Sequence, residues 1–317
     1  MSNHRSVVIN GDLGSGKSTV SVELASRLGL RRISVGDMYR EMAQRRGMTA
    51  LQLNLHAELD DAIDSAVDNL QSEIAQSGEQ LIVDSRLAWF FFHEAFKVHL
   101  ITEPNEAARR VLARPHSEVE NYASLEEAKR NLHSRSESER MRFLTRYGAD
   151  KYRLRNYDLV ADSTRANPDQ VVSAVQAAFE GQLGTDILRE RPPLLLLDPM
   201  RIYPTREIDF ADETLAQELA DAKPGDLEPL TIGHSGPDYY VIDGHRRLSA
   251  AVQNGLHLVP GSLLAESEEL VTNRLSANDY FRAHVTRSVI EAWERVHGIE
   301  LPVPAHNPPE VHAGQQQ

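Results

Sequence analysis

The 317-residue chain contains no cysteine. Disulfides, thiolate metal sites and a cysteine nucleophile are therefore excluded. Long apolar runs are also missing. Leu194–Leu197 and Trp89–Phe92 are among the longest, far short of the ~18 residues of a membrane span. No signal-peptide layout precedes the strand-like run that begins by Val7. The expectation is a soluble cytoplasmic protein without a membrane partner. Positive charge is scarce overall: 34 basic residues stand against 47 acidic ones, a net charge of −13. That balance argues against a protein that coats nucleic acid by charge alone. One stretch departs from it, because Arg109 to Arg155 holds 12 basic and 7 acidic residues.

A hydrophobic content of 41% is enough for ordinary cores, and the length suggests two domains. The first part alternates. Strands are expected at 6–10, 32–35, 80–84, 97–101 and 159–162. Helices are expected at 19–28, 38–46, 50–75, 103–113 and 168–179, with a long polar helix or helix pair at 125–147. This rhythm implies an α/β fold with a parallel sheet covered on both faces. Gly184, Pro192 and Pro193 break the rhythm between 181 and 193. Beyond the break, strands are expected at 194–197, 230–232 and 239–242, and helices at 211–222, 248–255 and 279–297. The expected organisation is a first domain at 1–183, a smaller α+β domain at 194–264, a helical segment at 265–300 and a disordered tail at 301–317.

The sharpest signal is Gly11-Asp12-Leu13-Gly14-Ser15-Gly16-Lys17-Ser18-Thr19, a full G-x-x-x-x-G-K-[ST] pattern between a strand and a helix. Such a loop turns backbone N–H groups toward phosphate oxygens, and the helix N-terminus adds partial positive charge. Lys17 supplies a point charge for the β- and γ-phosphates, and Ser18 a hydroxyl for Mg²⁺. ATP as co-substrate and Mg²⁺ as cofactor follow. Asp84 ends the apolar run Leu81-Ile82-Val83, a position from which a carboxylate can hold the Mg²⁺ shell.

The segment Ile33-Ser34-Val35-Gly36-Asp37-Met38-Tyr39-Arg40 narrows the class. Here the chain resembles the nucleoside monophosphate kinases, most of all the short cytidylate kinases, and the resemblance runs to about residue 180. It continues through Arg45-Arg46-Gly47-Met48, Leu53-Asn54, an acidic helix from Glu58 to Asp68, and Asp84-Ser85-Arg86-Leu87-Ala88-Trp89. It implies a P-loop kinase with a lid, acting on a nucleotide. Asp37, Arg40 and Arg86 are its acceptor-binding candidates, with Arg40 clamping the acceptor phosphate. Arg109, Arg110 and Arg114 fall where the family's lid helix starts. Arg135-Ser136-Glu137-Ser138-Glu139-Arg140-Met141-Arg142-Phe143 matches its R-x-x-S-E-x-x-R-[YF] stretch. Arg110, Arg135 and Arg142 are the implied catalytic arginines, closing over the transferring phosphoryl group beside Lys17. Two departures bear on the acceptor. Ser85-Arg86 replaces the family's usual glycine after the aspartate. Trp89-Phe90-Phe91-Phe92 is heavily aromatic and fits either core packing or stacking on an unusual base.

Residues 194–264 resemble the ParB/sulfiredoxin-like domain, on Asp198-Pro199, Ile202, Pro204 and Arg206, the strand Tyr239-Tyr240-Val241-Ile242, and Asp243-Gly244-His245-Arg246-Arg247. The resemblance implies a second phosphate site at Asp243, Gly244, His245, Arg246 and Arg247. Glu207 is a possible base there, or an ordinary loop carboxylate. The function expected from both parts is Mg²⁺·ATP-dependent phosphoryl transfer to a pyrimidine nucleotide. One alternative is a kinase acting on a hydroxymethyl pyrimidine within phage DNA, which would make DNA a partner. A second is an NTP-hydrolysing regulator of DNA-partition type, for which an acceptor clamp such as Arg40 has no use.

Overall fold

Val7, Val8 and Ile9 are fully buried, and the strand they form, β1 (Val7–Gly11), is the axis of the first part of the chain. It pairs in parallel with β3 (Leu81–Asp84) on one side and β4 (Phe96–Ile101) on the other. β2 (Arg31–Ser34) extends the sheet beyond β3, and β5 (Leu159–Asp162) extends it beyond β4. The order β2-β3-β1-β4-β5 is parallel throughout. Apolar runs such as Leu81-Ile82-Val83 are buried along their whole length, as a sheet covered on both faces requires. The computed structural model describes residues 5–48, 61–113, 122–182, 191–208, 213–220 and 227–305. The chain divides into two compact units, Met1–Arg189 and Glu190–Gln317.

In the first unit the helices are α1 (Lys17–Leu28), α2 (Val35–Arg45), α3 (Asp61–Gln76), α4 (Ala88–Phe91), α5 (Pro104–Leu112), α6 (Leu125–Tyr147) and α7 (Pro168–Gln182). The sequence left 125–147 open between one helix and two; it is one. Ser124 caps it by accepting from the Glu127 N–H, and Gly148 closes it in the left-handed conformation. Helix α2 opens at Val35 rather than Met38, because the Ser34 hydroxyl accepts from Asp37 N–H and caps it. Leu53-Asn54, the Glu58 end of the expected acidic helix, and Arg114 lie outside the described residues.

The second unit holds β6 (Leu194–Leu197), β7 (Ile202–Tyr203), α8 (Glu213–Glu218), β8 (Leu230–Ser235), β9 (Asp238–Asp243), α9 (His245–Gln253), β10 (Val259–Glu266), α10 (Ala277–His284) and α11 (Arg287–His297). Its sheet is mixed. β10 runs antiparallel to β6 and parallel to β8, while β9 runs antiparallel to β8 and parallel to β7. Strand β10 is absent from the sequence reading, which places no element between 255 and 279. The single helix expected at 279–297 is two helices. Val285 leaves the helical region, and Thr286 caps the second helix by accepting from Val289 N–H. Residues 301–305, expected to open a disordered tail, are tied to this unit. Tyr203 donates its hydroxyl to the Pro302 carbonyl, and Ala305 N–H donates to Asp238. Trp293, Tyr240 and Phe281 centre its core.

Candidate active site

All five strands of the first unit end at one edge of the sheet, where the chain turns into helices, the usual place for a ligand in an open α/β sheet. The loop after β1 approaches β4 closely. A side chain on Gly11 would bring its Cβ to 2.2 Å from the Leu100 carbonyl oxygen. The Asp12 N–H donates to that same oxygen at 2.8 Å, and the Asp12 carboxylate accepts from Thr102 N–H at 3.2 Å. Ser15 is buried, and its hydroxyl donates to the Asp12 carbonyl. Leu13 packs against the apolar cluster Ala107, Ala108, Val111, Ala128 and Leu132, which joins α5 to α6. Gly14 and Gly16 have positive φ, and Gly16 caps α1, with Ser18 and Thr19 exposed in its first turn.

The Lys17 ammonium curls back over the loop, 2.7 Å from the carbonyls of both Gly11 and Asp12. Burial pushes its pKa down to about 8. Arg86 pushes the same way, against the carboxylates of Asp84, Glu139 and Asp12. A desolvated cation at the loop's mouth is what an incoming phosphate chain would neutralise.

Asp84 stands at the end of β3. Its Oδ2 accepts from the Ser18 hydroxyl at 3.0 Å and from the Ser21 hydroxyl at 3.4 Å. It also accepts from Arg32 at 2.7 Å, and Arg32 reaches Ser21 at 2.7 Å and Asp37 at 3.3 Å. A carboxylate and a hydroxyl in contact at the phosphate loop form a hard oxygen set. This suits Mg²⁺, which binds through one or two carboxylates, substrate phosphates and water. Ser18 and Asp84 therefore fit the ion.

On the acceptor side, Asp37 lies in the first turn of α2. Arg40 stands on the same helix, and its side chain lies outside the described residues. Arg86 follows β3, and its guanidinium meets the buried Glu139 of α6 at 2.6 Å. The other oxygen of Glu139 accepts from Lys151 at 3.0 Å, and Lys151 also donates to Ser136 at 2.9 Å. Burial by itself would raise the Glu139 carboxyl. Arg86, Lys151 and Lys17 outweigh it and hold the group down at about 2. Tyr157 donates to the Lys151 carbonyl and accepts from Asn10, the residue before Gly11, so this cluster is braced against β1. Trp89 and Phe92 are core residues, whereas Phe90 and Phe91 pack on Tyr147 at 5.6 and 6.2 Å.

The three arginines implied as a lid stand on two helices, α5 and α6. Arg110 is fastened beside the phosphate loop, donating to Glu106, to the Gly14 carbonyl and to the Ser163 and Thr164 carbonyls. Ser163 in turn donates to the Ser15 carbonyl. Arg135 and Arg142 stand on α6 four residues before and three after Glu139, which places both on its helical face. The sequence reading gave no role to Arg32, Glu139 or Lys151. The signal that could have found Glu139 was its place as the acid of the R-x-x-S-E-x-x-R-[YF] stretch, four residues after Arg135 and three before Arg142.

In the second unit, Gly244 adopts φ +100 and caps α9, so His245, Arg246 and Arg247 form the helix's first turn rather than a loop before it. Arg247 pairs with Glu228 at 2.7 Å and Asp243 at 3.3 Å. His245 is buried against Thr205. Burial, then Arg206, pushes it down to about 4, so it is neutral at pH 7. Arg246 is exposed, as is Glu207.

Residues 7–142 match the AAA domain family. The chain is 36% identical to a cytidylate kinase from Natronomonas pharaonis over 182 residues, 57% of this chain and 92% of that protein. A cytidylate kinase from Methanosphaera stadtmanae is 32% identical over 176 residues, 56% of this chain and 98% of that protein. Among solved structures, a shikimate kinase from Bacteroides thetaiotaomicron aligns with 56% of this chain and 98% of its own, at 17% identity and a TM-score of 0.43. Among the described residues no helix is long and apolar enough to cross a membrane.

Proposed function

Through its N-terminal part, about 57% of its length, the chain belongs to the cytidylate kinase family and is an ATP-dependent P-loop kinase, and from that premise we propose that its acceptor is a pyrimidine nucleoside monophosphate. The observation that carries this reading is the convergence of Arg86 and Lys151 on one buried carboxylate, Glu139, within electrostatic reach of Lys17 in the phosphate loop. Arg86 and Lys151 contact Glu139 directly, two cations on one carboxylate, and a phosphate monoester complements the excess.

The transfer then reads as follows. The loop 11–19 holds the β- and γ-phosphates of ATP through its N–H groups, and Lys17 leaves the Gly11 and Asp12 carbonyls to pair with them. Ser18 and Asp84 would hold Mg²⁺, which would supply charge neutralisation at the phosphates. Asp37, Arg40 and Arg86 orient the acceptor so that one of its phosphate oxygens meets the γ-phosphorus. That P–O bond forms as the bond from the γ-phosphorus to the β–γ bridging oxygen breaks, and ADP leaves. Phosphoryl transfer demands chiefly positioning and charge stabilisation. Arg135 and Arg142, on the Glu139 face of α6, supply stabilising charge from the acceptor side. Arg110 holds the loop itself in shape.

For the second unit we keep the ParB/sulfiredoxin-like assignment. The strand β9, the left-handed Gly244 and a helix opening on His245-Arg246-Arg247 support it as a module with an anion-binding turn. Arg247 pairs with Glu228 and Asp243, and Arg246 stands exposed in the same first turn, so the turn offers two guanidinium groups to an incoming phosphate.

ADP release is measured with Mg²⁺·ATP and CMP, dCMP, UMP or DNA carrying hydroxymethylated pyrimidines. Release that depends on a pyrimidine monophosphate, with an acceptor KM raised tenfold or more by Arg40→Ala and an unaltered ATP KM, is the expected result. Release driven only by the modified DNA, or by no acceptor at all, overturns the reading.

A further inference from the structure

The carboxylate of Glu139 is 8% exposed and touches two cations from different parts of the fold. Arg86 comes from the turn after β3, 53 residues earlier in the chain. Lys151 follows the end of α6, and its carbonyl is held by Tyr157, itself bonded to Asn10 at the root of the phosphate loop. Lys151 spends two N–H groups on Glu139 and Ser136, and it is as buried as Glu139. Arg86 is different. Its side chain is 46% exposed, and its bond to Glu139 uses one of its five N–H donors. An arginine on a flexible stem loses rotamer freedom when it clamps a phosphate. One already held by a buried carboxylate has lost that freedom beforehand, so the ligand meets a formed fork.

We propose that Glu139 is a positioning residue: its carboxylate, anchored by Lys151, fixes Arg86 as a preformed clamp for the phosphate group that sits opposite the P-loop. This deepens the kinase reading and rests on it for the position of the ligand. A buried acid near a phosphate site costs repulsion. Its retention here is explained by the two cations it organises, which leave the cluster positive even with the acid ionised. Glu139 also shares its helix face with Arg135 and Arg142, so the same carboxylate sets where α6 sits relative to Arg86.

The test uses the full chain saturated with Mg²⁺·ADP, with inorganic phosphate as probe in calorimetry and CMP as probe in a separate arm. Glu139→Gln keeps the shape and removes the charge. It is expected to weaken phosphate binding tenfold or more while Mg²⁺·ADP affinity stays within twofold. Arg86→Gln is expected to weaken phosphate binding similarly, and the double variant to bind no more weakly than Arg86→Gln alone, because Glu139 acts through Arg86. Glu139→Asp keeps the charge and is expected to recover part of the affinity, which a loss of packing alone does not predict. If Glu139→Gln does not fold, Glu139→Asp carries the test, with a several-fold loss for phosphate and none for Mg²⁺·ADP. Unchanged phosphate affinity in a folded Glu139 variant, independent effects of the two substitutions, or no phosphate binding by the wild type each overturns the proposal. If CMP fails to bind while the phosphate arm behaves as expected, the pyrimidine acceptor is wrong and the clamp stands.

Discussion

The Arg32 guanidinium lies 2.7 Å from the Asp84 carboxylate, the same oxygen that accepts from Ser18. The arginine thus supplies the positive charge that the Asp84 carboxylate, buried at the end of β3, requires. It also bridges to Asp37 in the first turn of α2, joining the ATP side of the cleft to the acceptor side. Arg32→Ala is expected to destabilise the metal-free protein by about 1–3 kcal/mol, since it leaves a desolvated acid without its partner. Added Mg²⁺ is expected to restore more melting temperature to this variant than to the wild type. Thermal unfolding with and without Mg²⁺ measures both. Equal Mg²⁺ responses would mean that Arg32 and the ion do not share Asp84.

Lys17→Ala removes the buried cation whose ammonium closes on the Gly11 and Asp12 carbonyls. Acceptor-dependent ADP release is expected to fall by about 10²–10³-fold, the scale seen when one fixed charge-stabilising donor is lost. The side chain lies over the loop and not in the core, so the melting temperature is expected to move by only a few degrees. A folded variant with wild-type turnover would remove this loop from the chemistry.

The second unit carries a pH signature in His234. It is buried beside Tyr239, and burial pushes it down to about 4 from the ordinary 6.5, although the buried Glu266 carboxylate 4.0 Å away favours the protonated ring. The unfolded chain therefore takes up a proton near pH 6.5, while the folded one stays neutral until about pH 4. Between those values the unfolded state binds more protons, so stability falls as pH falls, by about 1.4 kcal/mol per pH unit for this one group. Below about pH 4 the effect levels off. His234→Gln is expected to flatten that slope relative to the wild type. Urea unfolding at pH 7 and pH 5, followed by Trp293 emission in a Trp89→Phe background, reads it. Trp293 is fully buried in the second unit, which makes it the local reporter. Identical slopes would place the acid sensitivity elsewhere.

The phosphate loop was legible in the sequence because its geometry is local. The glycines that permit its backbone path, the lysine and the helix that follows are all fixed by spacing within nine residues. Asp84 was legible for a similar reason, as the last residue of a buried apolar run. The cluster around Glu139 was not, because Arg86 and Lys151 reach it from 53 and 12 residues away. Only the packing of α6 against the strand ends brings them together. Arg32 was equally hidden, 52 residues from Asp84 and placed in an exposed-looking pair of arginines at the start of β2. In the second unit, helical periodicity runs on through Val285-Thr286, and nothing local says that Thr286 caps a new helix instead of continuing the old one. Strand β10 contains Pro260 and Gly261, poor strand residues by propensity. It forms because β6 and β8 bracket it on both sides.

A protein ending at Arg189 is expected to fold and to keep acceptor-dependent ADP release. The first unit has its own core: Val7, Val8, Ile9, Leu81, Val98, Leu100, Leu159 and Val160 are buried along β1, β3, β4 and β5, with Leu24, Val172 and Val175 from flanking helices. Its phosphate loop, Asp84, Arg86, Glu139 and Lys151 all lie within residues 11–151, and the hydrogen bonds Lys17–Gly11, Ser18–Asp84, Arg86–Glu139 and Lys151–Glu139 are made inside that range. A core of this extent is what an independently folding domain requires. The check is a melting curve together with kcat and acceptor KM for residues 1–189 beside the full chain. A cooperative transition with kcat within about threefold of the full chain is the expected outcome, and it assigns the chemistry to the first unit alone. A folded fragment whose acceptor KM rises tenfold or more with kcat unchanged would give the second unit a part in acceptor binding. A fragment that folds and turns over ATP with no acceptor dependence would move the acceptor site out of residues 1–189 altogether.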